Sequence, residues 1–122
     1  MTNICSEGFL RINHIWHTFV NPEPALWKVK KNDCVIALVH KPDFAAQMAA
    51  YPVALQLSGH THGGQIQFPG TGLIRHRFVD LTYKDGLFQI GKMQLYINRG
   101  VGMTGLPMRI GCRPEISCIT LH

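Results

Sequence analysis

The run Cys34-Val-Ile-Ala-Leu-Val39 is continuously apolar and rich in β-branched residues. It is too short to span a bilayer. It suits a strand buried on both faces, the pattern of a parallel sheet lying under helices. The run ends in His40-Lys41-Pro42-Asp43. Pro42 stops the strand, and Asp43 is placed to cap a helix over Phe44–Tyr51. Phe44 and Met48 lie one turn apart and would share its buried face, with Ala45 and Ala49 beside them. Pro52 ends that helix, and Val53-Ala-Leu-Gln-Leu57 reads as a second strand. Strand, helix and strand in this order make a βαβ unit with a right-handed crossover. The fold class is therefore α/β, with residues 34–122 as the readable unit.

Residues 1–33 are the least readable. Asn21-Pro22-Glu23-Pro24 is expected to break regular structure. A short helical turn follows from Ala25 to Lys31, and Asn32-Asp33 reads as a turn. His14 and His17 are spaced i, i+3 and read as incidental. Beyond the βαβ unit lie two Gly-rich stretches, Ser58–Gly64 and Phe68–Gly72. Phe68–Arg77 carries no readable specificity code. The remainder reads as β. Leu87–Ile90 and Met93–Asn98 alternate around Gly91-Lys92, which suits a type II′ hairpin of antiparallel strands. Phe88 and Ile90 share one face, as do Met93, Leu95 and Ile97. Asn98–Gly102 is a loop, Gly105–Pro107 a turn, and Ile116–Leu121 a final strand.

Length and composition narrow the function classes. The chain has 122 residues, enough for one domain. Hydrophobic residues at 46% and charged ones at 16% rule against intrinsic disorder. The N-terminus lacks the basic segment and apolar run of a secretory signal, so a reducing, cytoplasmic setting is the default expectation. No C-x-x-C pair occurs among Cys5, Cys34, Cys112 and Cys118. Cys34 and Cys118 lie in apolar runs and read as buried free thiols. A Cys112–Cys118 bridge is compatible with the spacing but not demanded by it. The net charge is +5, yet the only local cluster is Lys28, Lys30 and Lys31. Nucleic-acid binding is not expected, because basic and aromatic residues do not interleave into a stacking platform.

The chemistry concentrates in Gly59-His60-Thr61-His62-Gly63-Gly64, directly after a predicted buried strand. Two His one residue apart can point to the same side of an extended chain. A bare H-x-H is more often a turn with two solvated imidazoles. His40 changes the balance, because it follows the neighbouring predicted strand. In open α/β sheets ligands bind outside the carboxyl ends of strands. Parallel pairing would put His40 beside His60, so that three imidazoles converge on one crevice as metal ligands.

Val39-His40-Lys41-Pro42-Asp43, followed by Leu57-Ser-Gly-His60-Thr-His62-Gly-Gly-Gln65, resembles the C-terminal half of a calcineurin-like metallophosphoesterase. Tyr96–Gly102, Gly105–Arg109 and Arg113–Ile116 resemble its bacterial YkuE/YaeI-like phosphodiesterase branch. The likeness runs from about Val35 to Leu121. It implies a two-sheet sandwich flanked by helices, with two divalent ions (Mn, Zn or Fe) at the sheet edges. Carried over by motif, His40 and His60 would ligate the second metal and His62 the first. Gly63 and Gly64 would keep the backbone clear of substrate, and Arg99 would grip a phosphate. The reaction implied is two-metal hydrolysis of a phosphodiester or pyrophosphate. The substrate would be a phosphorylated small molecule or a lipid-linked one, with any membrane association residing in a missing N-terminal segment.

The family's Asp-x-His, Gly-Asp and Gly-Asn-His ligand motifs do not occur in this sequence, nor does the His that assists the leaving group. The chain is therefore expected to be the C-terminal half of a longer catalytic domain and inactive alone. A rival of another class is a non-catalytic His-based metal-binding or interaction module, in which three His hold one zinc.

Overall fold

A computed structural model describes residues 9–11, 21–30, 32–68, 72–73 and 82–120. Cys5, His14, His17, residues 69–71 and 74–77 of the Gly-rich region, and the end of the predicted final strand at Leu121 lie outside them.

The strands are β1 (Phe9–Arg11), β2 (Val35–Leu38), β3 (Val53–Ser58), β4 (Gln67–Phe68), β5 (Gly72–Leu73), β6 (Gly86–Ile90) and β7 (Met93–Ile97). The helices are α1 (Glu23–Leu26) and α2 (Ala45–Met48). Five strands form one sheet in the order β1-β2-β3-β7-β6, and β4 pairs with β5 alone. The pairs β1/β2, β2/β3 and β3/β7 are parallel, and β6/β7 is antiparallel. The expected βαβ unit is thus present, and the expected hairpin attaches to it edge to edge. Gly91 takes φ 58° at the first turn position, as the II′ reading requires.

The core lies on one face of the sheet. Val35, Ala37 and Val39, Val53, and Met93, Leu95 and Ile97 pack against Leu26 and against Ala45 and Met48 of α2. Phe44, Ala49, Phe88 and Ile90 pack on its margin. The alternation of β7 is visible as buried Met93, Leu95 and Ile97 between half-buried neighbours. Gln56 is also buried on β3, between Ala37 and Leu95 in the ladder register. Its Nε2 donates to Ser58 Oγ at 2.9 Å, and Ser58 Oγ donates to the Val39 carbonyl at 2.7 Å. This polar thread ties the end of β3 to the end of β2.

Several local expectations are corrected. α1 begins at Glu23 rather than Ala25, because Pro22 and Pro24 fall at its first turn, where a missing N–H costs nothing. The second helix is shorter than Phe44–Tyr51: a 3-10 turn over Pro42–Phe44 leads into Ala45–Met48. Asp43 lies inside that turn, and neither element has a side-chain cap. Residues 116–120 form no strand. Ile116 is 89% exposed, and Cys118 is exposed rather than buried. That segment is held by Glu115 and Ser117 side chains instead of a ladder, and β-propensity without a neighbouring strand does not make one. Cys34, Cys112 and Cys118 are free thiols, so no Cys112–Cys118 bridge forms. Among the described residues no helix is long and apolar enough to cross a membrane.

The packing ranks positions for mutation. Leu95→Ala, at the fully buried centre of β7, should lower unfolding free energy by about 2–5 kcal/mol in urea titrations. Leu87→Ser, on the exposed side of β6, should stay within about 0.5 kcal/mol of the parent.

Candidate metal centre

Three parallel strands deliver their carboxyl ends to one edge. The ladder continues past the strands: Val39 N donates to Leu57 O at 3.0 Å, Gly59 N to His40 O at 3.1 Å, and Asn98 N to Ser58 O at 2.9 Å. His40, His60 and the pair Asn98-Arg99 therefore emerge side by side from β2, β3 and β7.

His40 and His60 meet. His60 Nδ1 lies 3.2 Å from His40 Nε2, with ring centroids 4.9 Å apart and planes at 68°. Two nitrogens held at about 2.0–2.1 Å by one zinc-like ion stand roughly 3 Å apart when they are neighbours in its shell. The observed spacing fits a pair of ligands to one cation as well as it fits a shared proton.

No contact of His62 with this pair is seen, and its own partners lie in the Gly100–Arg109 segment. The backbone is not extended here: His62–Gly64 is a 3-10 turn, and His60 and His62 take φ 69° and 51°. Non-glycine residues in this left-handed region are uncommon and cluster at functional sites. His62 Nδ1 faces the Gly102 carbonyl at 3.1 Å, and Nε2 faces Thr104 Oγ1 at 3.2 Å. Arg109 Nη2 also lies 3.4 Å from Nδ1; in the tautomer with its proton on Nδ1, the Gly102 carbonyl accepts it and Nε2 is the nitrogen open to a ligand role. Among the described residues, no three His, Cys, Asp or Glu side chains sit together closely enough to hold an ion.

The turn is built from inside. Thr61 is buried; its Oγ1 donates to Lys84 O at 2.6 Å and accepts from Gly63 N at 3.1 Å. Gly63, at φ 60°, has no room for a side chain: a Cβ would lie 2.6 Å from Cys112 Sγ and 2.7 Å from Arg99 Cγ. Its glycine thus admits the protein's own Cys112 and Arg99 stem. Gly64 follows at φ 81° in the same turn. Arg99 lies against this turn through its stem, while its Nε donates to Glu115 Oε2 at 2.6 Å. Glu115 also accepts from the Tyr96 hydroxyl and from Ser117 Oγ. Those bonds, Tyr96 first and Arg99 second, hold the Glu115 carboxyl at about 2, against an ordinary value of 4.5. The same contact raises the Tyr96 hydroxyl above its usual range.

Reading by motif and spacing gave Arg109 no role, yet it organises the site. Its guanidinium donates to the carbonyls of His62 (3.1 Å), Arg99 (2.9 Å) and Gly102 (2.6 Å), and reaches Cys112 Sγ at 3.7 Å. One planar fork serves three segments, which a lysine could not do. Gln65, at φ 45°, is the second omission: Nε2 donates to the Thr104 and Leu106 carbonyls at 3.0 Å, and Oε1 accepts from Thr104 N at 2.8 Å. The available signal was a glycine-rich loop whose many free carbonyls must find donors, followed by an Arg with no acidic residue near it in sequence.

Comparison with known proteins settles the family. Over 86 residues, 70% of this chain, it is 52% identical to the uncharacterized metallophosphoesterase YkuE of Bacillus subtilis, covering 30% of that protein. It is 37% identical over 108 residues, 88% of the chain, to phosphodiesterase YaeI of Escherichia coli, covering 38% of it. A zebrafish transmembrane protein with metallophosphoesterase domain is 39% identical over 90 residues, 71% of the chain and 20% of that protein. The chain belongs to the metallophosphoesterase superfamily, in its YkuE/YaeI branch. It spans about a third of the length of YkuE and of YaeI. No family model matches it, and no solved structure does. Metallophosphoesterase membership implies divalent metal ions, and the imidazole pair is a donor set suited to them.

The geometry can be tested in two ways. Because the folded Glu115 carboxyl sits below its unfolded value, its stabilisation is complete above about pH 4.5 and is lost as pH falls towards about 2. Unfolding free energy should decline across that window, and Glu115→Gln should show a flatter decline there. Arg109→Lys should lower stability by about 0.5–1.5 kcal/mol, because the carbonyls of His62, Arg99 and Gly102 lose a shared donor. It should also shift the His62 imidazole resonances in NMR spectra while leaving those of His40 and His60 in place.

Proposed function

We propose that this chain supplies His40, His60 and His62 as ligands of a two-metal site that hydrolyses a phosphodiester or a pyrophosphate. The observation that carries the reading is the 3.2 Å approach of His60 Nδ1 to His40 Nε2 at adjacent parallel strand ends. Family membership supplies the reaction class. His40 and His60 together face the second metal, and His62 faces the first. When bound, two divalent ions (Mn, Zn or Fe) offset charge on the phosphoryl oxygens and make water more acidic.

The chain's own residues do the positioning. In the ligating tautomer the Gly102 carbonyl accepts the His62 Nδ1 proton, and Arg109 anchors the turn that carries His62. Glu115 aims the Arg99 guanidinium, whose role is to bind phosphoryl oxygens of the substrate. Gly63 and Gly64 shape the turn beside that phosphate. The substrate is a phosphorylated small molecule or a lipid-linked one. The five-stranded sheet is one layer of the family's two-sheet sandwich. The oxygen ligands come from a segment matching the N-terminal part of the relatives, so this chain alone does not turn over.

A chimera tests this. Residues 34–122 replace the matching part of phosphodiesterase YaeI, and hydrolysis of bis-p-nitrophenyl phosphate is followed with added manganese. The chimera should be active, and His60→Ala within it should cost at least about 100-fold, the upper end for loss of a mere partner of a ligand. A folded, metal-loaded chimera without turnover would overturn the ligand assignment. Turnover by the isolated chain, abolished by His60→Ala, would overturn its incompleteness.

A further inference from the structure

The ladder between β2 and β3 slips at its end. Val39 N donates to Leu57 O at 3.0 Å. In a regular parallel ladder the next bond, from Gly59 N, goes to the Val39 carbonyl. Gly59 N goes instead to the His40 carbonyl, at 3.1 Å. Val39 and His40 thus both stand opposite Ser58, the two-against-one count of a bulge. On its other side Ser58 pairs with β7 regularly, its carbonyl accepting from Asn98 N. Bulges beside functional sites re-aim the side chains that follow them.

The slip takes the ladder donor away from the Val39 carbonyl, in a buried residue. A buried carbonyl without a donor is destabilising. Ser58 Oγ fills the place, donating to Val39 O at 2.7 Å. Gln56 holds that hydroxyl from behind: its Nε2 donates to Ser58 Oγ at 2.9 Å, which leaves the hydroxyl proton for Val39. Gln56 is fully buried in register with Ala37 and Leu95, and its Oε1 has no partner among the described residues. An amide in an apolar layer is unfavourable, and the one bond this amide makes is the bond that orients Ser58. The thread runs between neighbouring strands inside the sheet, so it does not depend on what covers the sheet's edges.

We infer that Ser58, oriented by Gln56, is a positioning residue: its hydroxyl sets the slip, and through it the 3.2 Å approach of His40 to His60. Without the hydroxyl, Gly59 N returns to the Val39 carbonyl. His40 then moves against Gly59 by one residue, roughly 3.3 Å, and the imidazole pair parts. The geometric effect stands by itself, whereas its consequence for metal affinity rests on the ligand roles proposed above.

Both are read in the 122-residue chain. Scalar coupling across hydrogen bonds, recorded by NMR on isotope-labelled protein, identifies the carbonyl that Gly59 N reaches. It should be that of His40 in the parent and in S58T, which keeps a hydroxyl, and that of Val39 in S58A. Zinc alone is then titrated by calorimetry. S58A should weaken the zinc binding that H60A abolishes by at least about tenfold, the range for loss of support behind a ligand, and S58T should stay within about threefold of the parent. Should S58A fold poorly, Q56M decides in its place, since it conserves side-chain volume in the core. Its Gly59 coupling to His40 should weaken, with zinc affinity falling at least about threefold. A parent coupling to Val39, a coupling to His40 that persists in folded S58A, parent-like zinc affinity in S58A, or a Q56M variant that matches the parent in both readouts would each overturn the inference. Zinc binding that H60A leaves intact would overturn the ligand roles instead, and the Gly59 coupling alone would then decide for or against Ser58.

Discussion

The candidate centre depends on a single ladder contact just beyond the strands, the bond from Gly59 N to the His40 carbonyl. Parallel strands are evenly registered, so the residues after one strand land beside those after its neighbour. That bond carries the pairing of β2 and β3 into the loops and sets His40 against His60. The matching bond from Asn98 to Ser58 does the same for β7 and brings Arg99 to the same edge. The buried Gln56–Ser58–Val39 thread lies directly beneath and keeps the strand ends from fraying.

Above this edge the structure trades regularity for specific bonds. Three non-glycine residues, His60, His62 and Gln65, hold left-handed backbone within one short segment. Conformations of this kind cost of order 1–3 kcal/mol each and persist only where the surroundings over-determine them. The surroundings here are Thr61 below, Cys112 and the Arg99 stem at Gly63, and the Arg109 fork across three carbonyls. The C-terminal segment thus serves as a brace for the His turn, fastened at Glu115 and Ser117 to Tyr96, Asn98 and Arg99.

The same brace reaches the Gly100–Met108 loop, whose Val101, Met103, Leu106 and Met108 side chains are exposed. Gln65 and Arg109 satisfy the carbonyls of Gly102, Thr104 and Leu106 from the inside. Its position between Arg99 and Arg109 couples the loop to the edge bearing His62.

The apolar run at 34–39, the alternation of β7 and the paired strand ends were all legible by period and composition, because burial on one or both faces dictates them residue by residue. Family motifs at 39–43 and 57–65 were equally legible, because the chemistry needs those residue types in that order. Local pattern misled where a partner decides the outcome. Ile116–Leu121 has the composition of a strand, yet its described residues have no neighbouring strand to join. Asp43 has the composition of a cap, yet Pro42 starts the turn one residue too early. The left-handed turn at His60 and His62, which sets His62 against Gly102 and Thr104, is a bend that H-x-H spacing does not encode. Arg109 and Gln65 were silent because their work includes carbonyls distant in sequence, that of His62 for Arg109 and those of Thr104 and Leu106 for Gln65, a demand that exists only once the loops have been brought together.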